Sequence, residues 1–437
     1  MRKLSYTVLA AIAILFAAVS LQAAALDNSA LWRPRFATPV IIALDSASNR
    51  QFTAEIRSSS AAVGWSAIIT NDLKAWNCQI ISAQFAAANI NRSTEAGWKV
   101  VIRAPADASP ELFSLIISNS ERICTQGQCV QVIESFATNF YVLHMADEQI
   151  VQEFHNVPSG MWYTTVGTAE EFAWEQQTIN IINPRFVFIT GDQIDFNGAL
   201  DGYNNWSNWG YSPGGSRDFT VQETMTIEQR LADMYKSYHL GFRVPYVSCP
   251  GNHDVPPTGW QLHGSSPLIY WHAYGVTNYE SNFGQRSWSF RMGDFYVLMH
   301  DWSESSLKTW ANNDYTNALN DPTIKYRLIG QHYVTDQAVV PSNVSLMLIG
   351  HTHTTATYQS APYYIYVDGP AFSYGTCGFF NFQRAGSSWI CDQTTAPRNT
   401  ATDVWRLFGD NGSPRKVRAD QPDAMNVTAT SDRKSVV

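Results

Sequence analysis

Five times along this chain a short apolar run stops at a group of metal-capable side chains. Phe140-Tyr141-Val142-Leu143 leads to Asp147-Glu148-Gln149, and Phe186-Val187-Phe188-Ile189 leads to Gly191-Asp192-Gln193-Ile194-Asp195. Val244-Pro245-Tyr246-Val247 leads to Gly251-Asn252-His253-Asp254, Tyr326–Ile329 to Gly330-Gln331-His332, and Leu346–Ile349 to Gly350-His351-Thr352-His353. Apolar runs of this length bounded by glycine read as buried strands, and the residues that follow such strands collect in the loops at one edge of a sheet. A lone histidine is usually structural and a lone Gly-Asp is usually a turn. Four of the ten histidines fall inside these clusters, so the bland reading requires five coincidences in order. Together the clusters supply oxygen and nitrogen donors and a carboxylate able to bridge, which is what two adjacent divalent cations need.

Between the clusters strand and helix patterns alternate. Thr168 with Glu171 forms a capping box opening a helix that runs to about Ile182, and Ile227, Leu231, Tyr235 and Tyr238 share one helical face. The runs Ser287–Phe290, Phe295–Met299, Tyr326–Ile329 and Leu346–Ile349, with short connections, predict a second sheet. Residues 138–392 therefore read as an α/β layered domain. Residues 26–137 hold only short near-alternating strands, among them Val40–Leu44, Trp65–Ile69, Trp98–Ile102, Leu112–Ile116 and Cys129–Ile133, which predicts an all-β sandwich in an accessory role. Residues 393–437 turn polar and read as a C-terminal tail.

Arg2 and Lys3 precede an apolar run to about Leu21, and Ala23-Ala24-Ala25 offers the small residues of a cleavage site. Residues 1–25 thus read as a secretory signal peptide, and the protein as secreted to an extracellular, periplasmic or lumenal space. No later run has the length of a transmembrane helix, so no membrane association is expected beyond that signal. With 29 Lys and Arg against 37 Asp and Glu the net charge is −8, and nothing in it indicates a nucleic-acid partner. An acidic chain that handles phosphate needs a local cationic device. Six cysteines suit an oxidising destination. Cys124 and Cys129 flank Thr-Gln-Gly-Gln between two β-rich runs, as hairpin partners within disulfide reach would; Cys377 and Cys391 make a second candidate pair, and Cys78 and Cys249 are left over.

Taken in order, Asp-x-Gln, Gly-Asp-x-x-Asp, Gly-Asn-His-Asp, His and Gly-His-x-His resemble the calcineurin-like metallophosphoesterase superfamily over roughly Thr138 to Cys391. The resemblance implies a four-layer α/β/β/α sandwich with two divalent metal ions, Mn, Fe, Zn or Mg, at the strand ends. Carried across by position, Asp147 and His353 would hold the first cation, with Gln149 where the family usually has histidine. Asp192 would bridge the pair, and Asn252, His332 and His351 would hold the second. His253 would be the non-ligand histidine that contacts phosphate and protonates the leaving oxygen. Asp195 would stand just outside the ligand set, at a place held by tyrosine in purple acid phosphatases, so no iron-bound tyrosinate is expected. Gln149 is a neutral amide, weaker than imidazole toward zinc and acceptable to harder ions.

The activity implied is hydrolysis of a phosphomonoester or phosphodiester substrate by metal-bound hydroxide. The competing class is a non-catalytic secreted binding protein with a degenerate domain of the same fold; Gln149 favours it, while the retained His253 and Asp192 count against it. Trp206, Trp209 and Tyr211, in an aromatic stretch between two clusters, form a candidate substrate rim, and Trp260 and His272 lie in an insertion that could line the same mouth. His144 and the His300-Asp301 pair read as structural, and His155 and His239 show no partner along the sequence.

Overall fold

The structure, a computed structural model, describes residues 24–71, 73–86, 96–148, 176, 179–194, 221–256, 272–333, 343–351, 356–360, 363–367, 376–392 and 405–406. Ala25–Leu26 (β1), Leu31–Arg33 (β2), Val40–Ala43 (β3), Gln51–Ile56 (β4), Ser66–Thr70 (β5), Ala75–Ala86 (β6), Gly97–Arg103 (β7), Leu112–Ser118 (β8) and Arg122–Ile133 (β9) come first. Among the described residues they form a nine-stranded sheet in the order β1-β9-β8-β5-β6-β7-β4-β2, with β3 also paired to β9. The long strand β6 gives its first residues, Ala75–Cys78, to β5 and its later ones to β7, so it belongs to both halves of the sheet. Apolar residues from the two halves, including Phe52, Ile69, Trp76, Ile102, Leu115 and Val130, meet in one core.

Two cysteine pairings expected from the sequence do not hold. Cys124 and Cys129 lie on the same strand, β9, not on opposite arms of a hairpin. Cys124 lies opposite Ile117 and the residue after Cys129 opposite Phe113, so the two stand apart along the strand, and both thiols are free. The Cys124 thiol instead donates to the Asp27 carbonyl (3.1 Å) and Cys129 to the Gln126 carbonyl (3.3 Å), and burial pushes them up to about 11 and about 12. Cys391 stands opposite Phe382 while Cys377 stands opposite Trp405, five residues along the same strand, which separates that pair as well.

The chain continues with Phe140–Met145 (β10), Phe186–Thr190 (β11), Val221–His239 (α1), Tyr246–Cys249 (β12), His272–Asn282 (α2), Trp288–Met292 (β13), Phe295–His300 (β14) and Ser305–Asn320 (α3). It then forms Tyr326–Gln331 (β15), Leu346–Ile349 (β16), Ala356–Ser360 (β17), Tyr363–Val367 (β18), Thr376–Ala385 (β19), Ser388–Asp392 (β20) and Trp405–Arg406 (β21). One sheet runs β12-β11-β10-β19-β20, with β21 on β19, and another runs β13-β14-β15-β16-β18-β17. Strands β10, β11 and β12 are mutually parallel, as are β14, β15, β16 and β18. Parallel sheets must be covered on both faces, and period-two alternation supplies both. Phe186 and Phe188 of β11 share a core with Phe295, Val297 and Leu328 of the other sheet. Val187 and Ile189 join Leu231 and Tyr235 of α1 and Tyr279 of α2. Leu298, Ile329 and Met347 pack with Ala311, Tyr315 and Ala318 of α3. The α/β character read from the sequence holds.

Helix α3 replaces what the sequence suggested was a short connection. Its buried side consists of Ala311, Tyr315 and Ala318 among asparagines and threonines, so its helical periodicity is faint. Of the expected Thr168–Ile182 helix, residues 179–182 are described and helical; of the tail, Trp405–Arg406 pairs with β19. The leader lies outside the described residues up to position 23, and Ala25 pairs with Arg122. No helix among the described residues is long and apolar enough to cross a membrane.

The early strands are packed into the later half. Ile41, Ala43 and Ile133 belong to the same core as Phe140 and Trp288. Ser248 on β12 donates its backbone N–H to the Ala37 carbonyl (3.0 Å), and the Phe36 ring stacks on Tyr246 at 5.1 Å.

Candidate metal centre

The five clusters follow the carboxyl ends of β10, β11, β12, β15 and β16, where loops of two facing sheets converge. The backbone leaves three of these strands abruptly. Asp147 (φ 56°), Asp192 (φ 54°) and His351 (φ 79°) are held in the left-handed region, each at a cost of about 1–3 kcal/mol that surrounding structure must offset. Gly191 and Gly251 let two of the loops touch. Gly191 has φ 91°, and a Cβ there would lie 2.5 Å from the Gly251 nitrogen; a Cβ on Gly251 would overlap Asp192.

At the centre, side-chain donor atoms face one another. His332 Nε2 is 3.1 Å from Asp192 Oδ2 and 3.1 Å from Asn252 Oδ1, and His351 Nδ1 is 2.8 Å from the same Asn252 oxygen. Ligand atoms of Asp192, His332 and His351 all fall within 4.8 Å of one another. Asp192, Asn252 and His332 are buried, as is Asp147, whose carboxylate accepts the His351 backbone N–H at 3.0–3.1 Å and lies 3.9 Å from His332 Nε2. His253 is placed differently: its backbone N–H donates to Asp192 Oδ1 (2.8 Å), and its ring, 25% exposed, reaches solvent with Nε2 3.8 Å from Asp192 Oδ2.

Burial alone would raise the Asp192 carboxyl, but the His332 and His253 imidazoles outweigh it and hold it well below the usual range. Burial likewise pulls His332 down, and the Asp192 carboxylate more than reverses this, raising it to about 9.

Sequence reasoning listed Asp254 within a cluster without giving it a task. Its buried carboxyl accepts backbone N–H groups from Gln193 (3.0 Å), Ile194 (3.0 Å) and Gly251 (2.8 Å), clamping the loop that carries Asp192 to the loop that carries Asn252 and His253. Burial first, and the Asp192 charge second, push it up to about 7. Thr190 was also missed: its carbonyl accepts from His332 Nδ1 (2.7 Å) and its hydroxyl meets His144 Nε2 (2.8 Å), which makes His144 a packed support, pushed down to about 3 by burial. His300 meets Ser287 (3.1 Å) and Asp301 pairs with Arg286 (2.6 Å), both structural. His272 turns to the Pro256 carbonyl (2.6 Å) and Glu304 (3.1 Å).

Six sequence-chosen residues, Asp147, Asp192, Asn252, His253, His332 and His351, are thus brought together. Gln149, His353, Asp195, Trp206, Trp209, Tyr211 and Trp260 lie outside the described residues.

Residues 140–355, the stretch that carries all of these clusters, match the family model of the calcineurin-like phosphoesterases. That stretch, just under half of the chain, is similar to that family. The chain is similar to several solved structures. Against a purple acid phosphatase, PPD1, from yellow lupin (Lupinus luteus) seeds the identity is 9% and the TM-score 0.39, covering 76% of this chain and 67% of that one. Against PhoD the values are 9% and 0.40, covering 87% and 94%, and against a dimetal phosphatase from Danio rerio they are 11% and 0.36, covering 58% and 98%. The comparison with curated proteins finds no match.

The donor set fits a divalent cation. Ligands about 2.1 Å from a metal and at right angles stand about 3 Å apart, which is the spacing of Asn252 Oδ1 from His332 Nε2 and from His351 Nδ1, and of His332 Nε2 from Asp192 Oδ2. Because Thr190 claims the other ring nitrogen of His332, Nε2 is the one presented to the centre.

Proposed function

We propose that this phosphoesterase is an exported two-cation hydrolase of a phosphomonoester or phosphodiester. The observation that carries the reading is the convergence of Asp192, Asn252, His332 and His351 on one point at the strand ends, with solvent-reaching His253 beside it. In this reading Asn252, His332 and His351 would hold one cation, Asp147, Gln149 and His353 would hold the other, and Asp192 would be shared by both. The layered packing of two sheets between helices supports a four-layer α/β/β/α sandwich over residues 138–392, following a β-sandwich at 26–137. The leader at 1–25 supports export.

When bound, the cations supply Lewis acidity toward the phosphoryl oxygens and a nucleophilic water near neutral pH. The chain's residues do the rest. Asp192, buried at the centre, carries negative charge that would offset that of the cations. His253, fixed through its own backbone N–H to Asp192, presents Nε2 where a leaving oxygen would emerge and delivers a proton to it. Asp254 keeps the Asp192 and His253 loops in register, so proton donor and ligands move as one unit. Asp195, just outside the ligand set by sequence, and Trp206, Trp209 and Tyr211, the candidate substrate rim, lie outside the described residues.

The test is turnover of chromogenic phosphate mono- and diesters by metal-stripped protein before and after addition of Mn²⁺. Activity that appears only with metal supports the reading. Protein that binds two cations and turns over no ester in a panel of nucleotides, sugar phosphates and phospholipid head groups is instead the non-catalytic binding protein.

A further inference from the structure

Immediately after Asp147, Glu148 turns away from the centre into the interior, where it is fully buried. Its carboxyl is enclosed by donors from two elements far along the chain. Oε2 accepts the hydroxyls of Tyr235, on α1, and Tyr246, on β12 (3.2 Å), while His239 Nε2 lies 3.2 Å from Oε1. His239 is in turn held by the Tyr235 carbonyl (2.7 Å) and stacked on the Tyr235 ring at 4.1 Å. Phe36 closes the cage, stacking on Tyr246 and meeting His239 edge-on at 6.5 Å. None of this is used by the proposed chemistry. Burying a carboxyl is costly unless its oxygens are fully engaged, so the fold has assembled three partners around one side chain.

What these partners accomplish is visible one residue earlier. Asp147 sits at φ 56°, a conformation that an L-residue keeps only when its surroundings over-determine it. On one side the Asp147 N–H is tied to the Gly191 carbonyl (3.0 Å). On the other, the chain is pinned by the Glu148 side chain. We propose that Glu148 is a positioning residue: anchored by Tyr235, Tyr246 and His239, it locks the turn that aims Asp147 at the first cation. This rests on the two-cation reading above. Groups that orient metal ligands from behind are worth about 10–100-fold in metal affinity or activity, although here the link is through the backbone.

Mn²⁺ titration of the full chain, read by calorimetry and by the electron-spin signal that separates a coupled cation pair from a single ion, tests it. Glu148→Ala is expected to weaken one of the two cations by at least about tenfold and leave the other within about threefold, so that the coupled-pair signal gives way to a single-ion signal. Adding Asn252→Ala should then remove the remaining cation, which identifies the weakened one as the first. Glu148→Gln, which keeps an acceptor oxygen and the same volume, should recover most of the affinity, and Tyr246→Phe should fall between. If Glu148→Ala does not fold, Tyr246→Phe carries the expected loss, with Glu148→Gln as its near-native reference. The proposal is overturned if no Glu148 or Tyr246 variant changes the first cation by more than threefold, or if both cations weaken equally in step with melting temperature. If the unaltered protein itself binds no pair of cations, the two-cation reading is what fails, and the wild-type titration alone reveals it.

Discussion

His332 Nδ1 lies 2.7 Å from the Thr190 carbonyl oxygen, and because a carbonyl only accepts, that nitrogen carries the ring proton. The remaining nitrogen is thereby aimed at Asp192 and Asn252. Losing this ring and losing the bridge should have different consequences. His332→Ala is expected to lose one cation and at least 100-fold in kcat/KM, whereas Asp192→Asn should abolish paired occupancy, since it removes the negative charge that would offset the repulsion of two cations. Elemental analysis of metal per chain checks both; two metals per chain retained in Asp192→Asn would remove Asp192 from the bridging position.

His253→Ala should keep both cations while kcat falls by about 10²–10⁴-fold, with a smaller loss for esters of acidic alcohols that leave without help. Steady-state rates over a leaving-group series, alongside metal content, decide this. A variant that sheds metal would mean His253 is a ligand.

Asp254→Ala leaves three backbone N–H groups without their acceptor inside the fold. The expected loss is about 3–5 kcal/mol in unfolding free energy, from a desolvated donor cost of about 1–3 kcal/mol each with partial relaxation. Asp254→Asn, which retains one acceptor oxygen, should lose less than half of that. Denaturant melts of the two variants measure the difference, and similar midpoints for Asp254→Ala and wild type would contradict the clamp.

The His272–Glu304 pair should give a stability window in pH. The hydrogen bond to Glu304 raises His272 above its ordinary 6.5, and the bond from His272, helped by Arg286, pulls Glu304 down to about 2 from 4.5 against its burial. The raised histidine contributes fully below pH 6.5 and loses that contribution as pH climbs through its folded value. The lowered carboxyl contributes fully above pH 4.5 and loses it as pH falls toward 2. The melting-temperature gap between wild type and His272→Gln should therefore be widest between about pH 4.5 and 6.5. A gap that stays constant from pH 3 to pH 9 would show that the pair contributes no charge-dependent stability.

Gln149→His should tighten zinc-like binding at the first cation, and Gln149→Ala should weaken that cation alone, with activity of the native protein rising on added Mn²⁺ or Mg²⁺. Unchanged stoichiometry, affinity and rate in Gln149→Ala would exclude it as a ligand.

Much of the site could be read from the chain because parallel strands buried on both faces appear as unbroken apolar runs, so the polar residues that end them stand out. Asp192 after Phe186–Thr190 and His332 after Tyr326–Gln331 are of this kind. What escaped depended on distant or faint signals. Glu148 meets Tyr235, His239 and Tyr246 across 87 to 98 positions, a separation no local pattern encodes, and His239 accordingly seemed partnerless in sequence. Helix α3 buries mainly alanine against its sheet. Cys124 and Cys129 were misassigned because Gln126-Gly127-Gln128 imitates a turn. The strand in fact runs through it with a register shift opposite Phe113–Leu115 and Gln128 at φ 50°.

One contact between the early strands and the later half changes what a shortened chain would be. Strand β12 is the outermost strand of its sheet among the described residues, and the Ala37 carbonyl occupies the Ser248 N–H there while Phe36 covers Tyr246. Removing residues 26–137 would strip that cover and leave an open strand edge beside an uncovered aromatic face, a template for pairing with another copy. The early strands are then a guard against self-assembly, and a fragment starting at β10 should emerge as aggregates rather than as a smaller phosphoesterase.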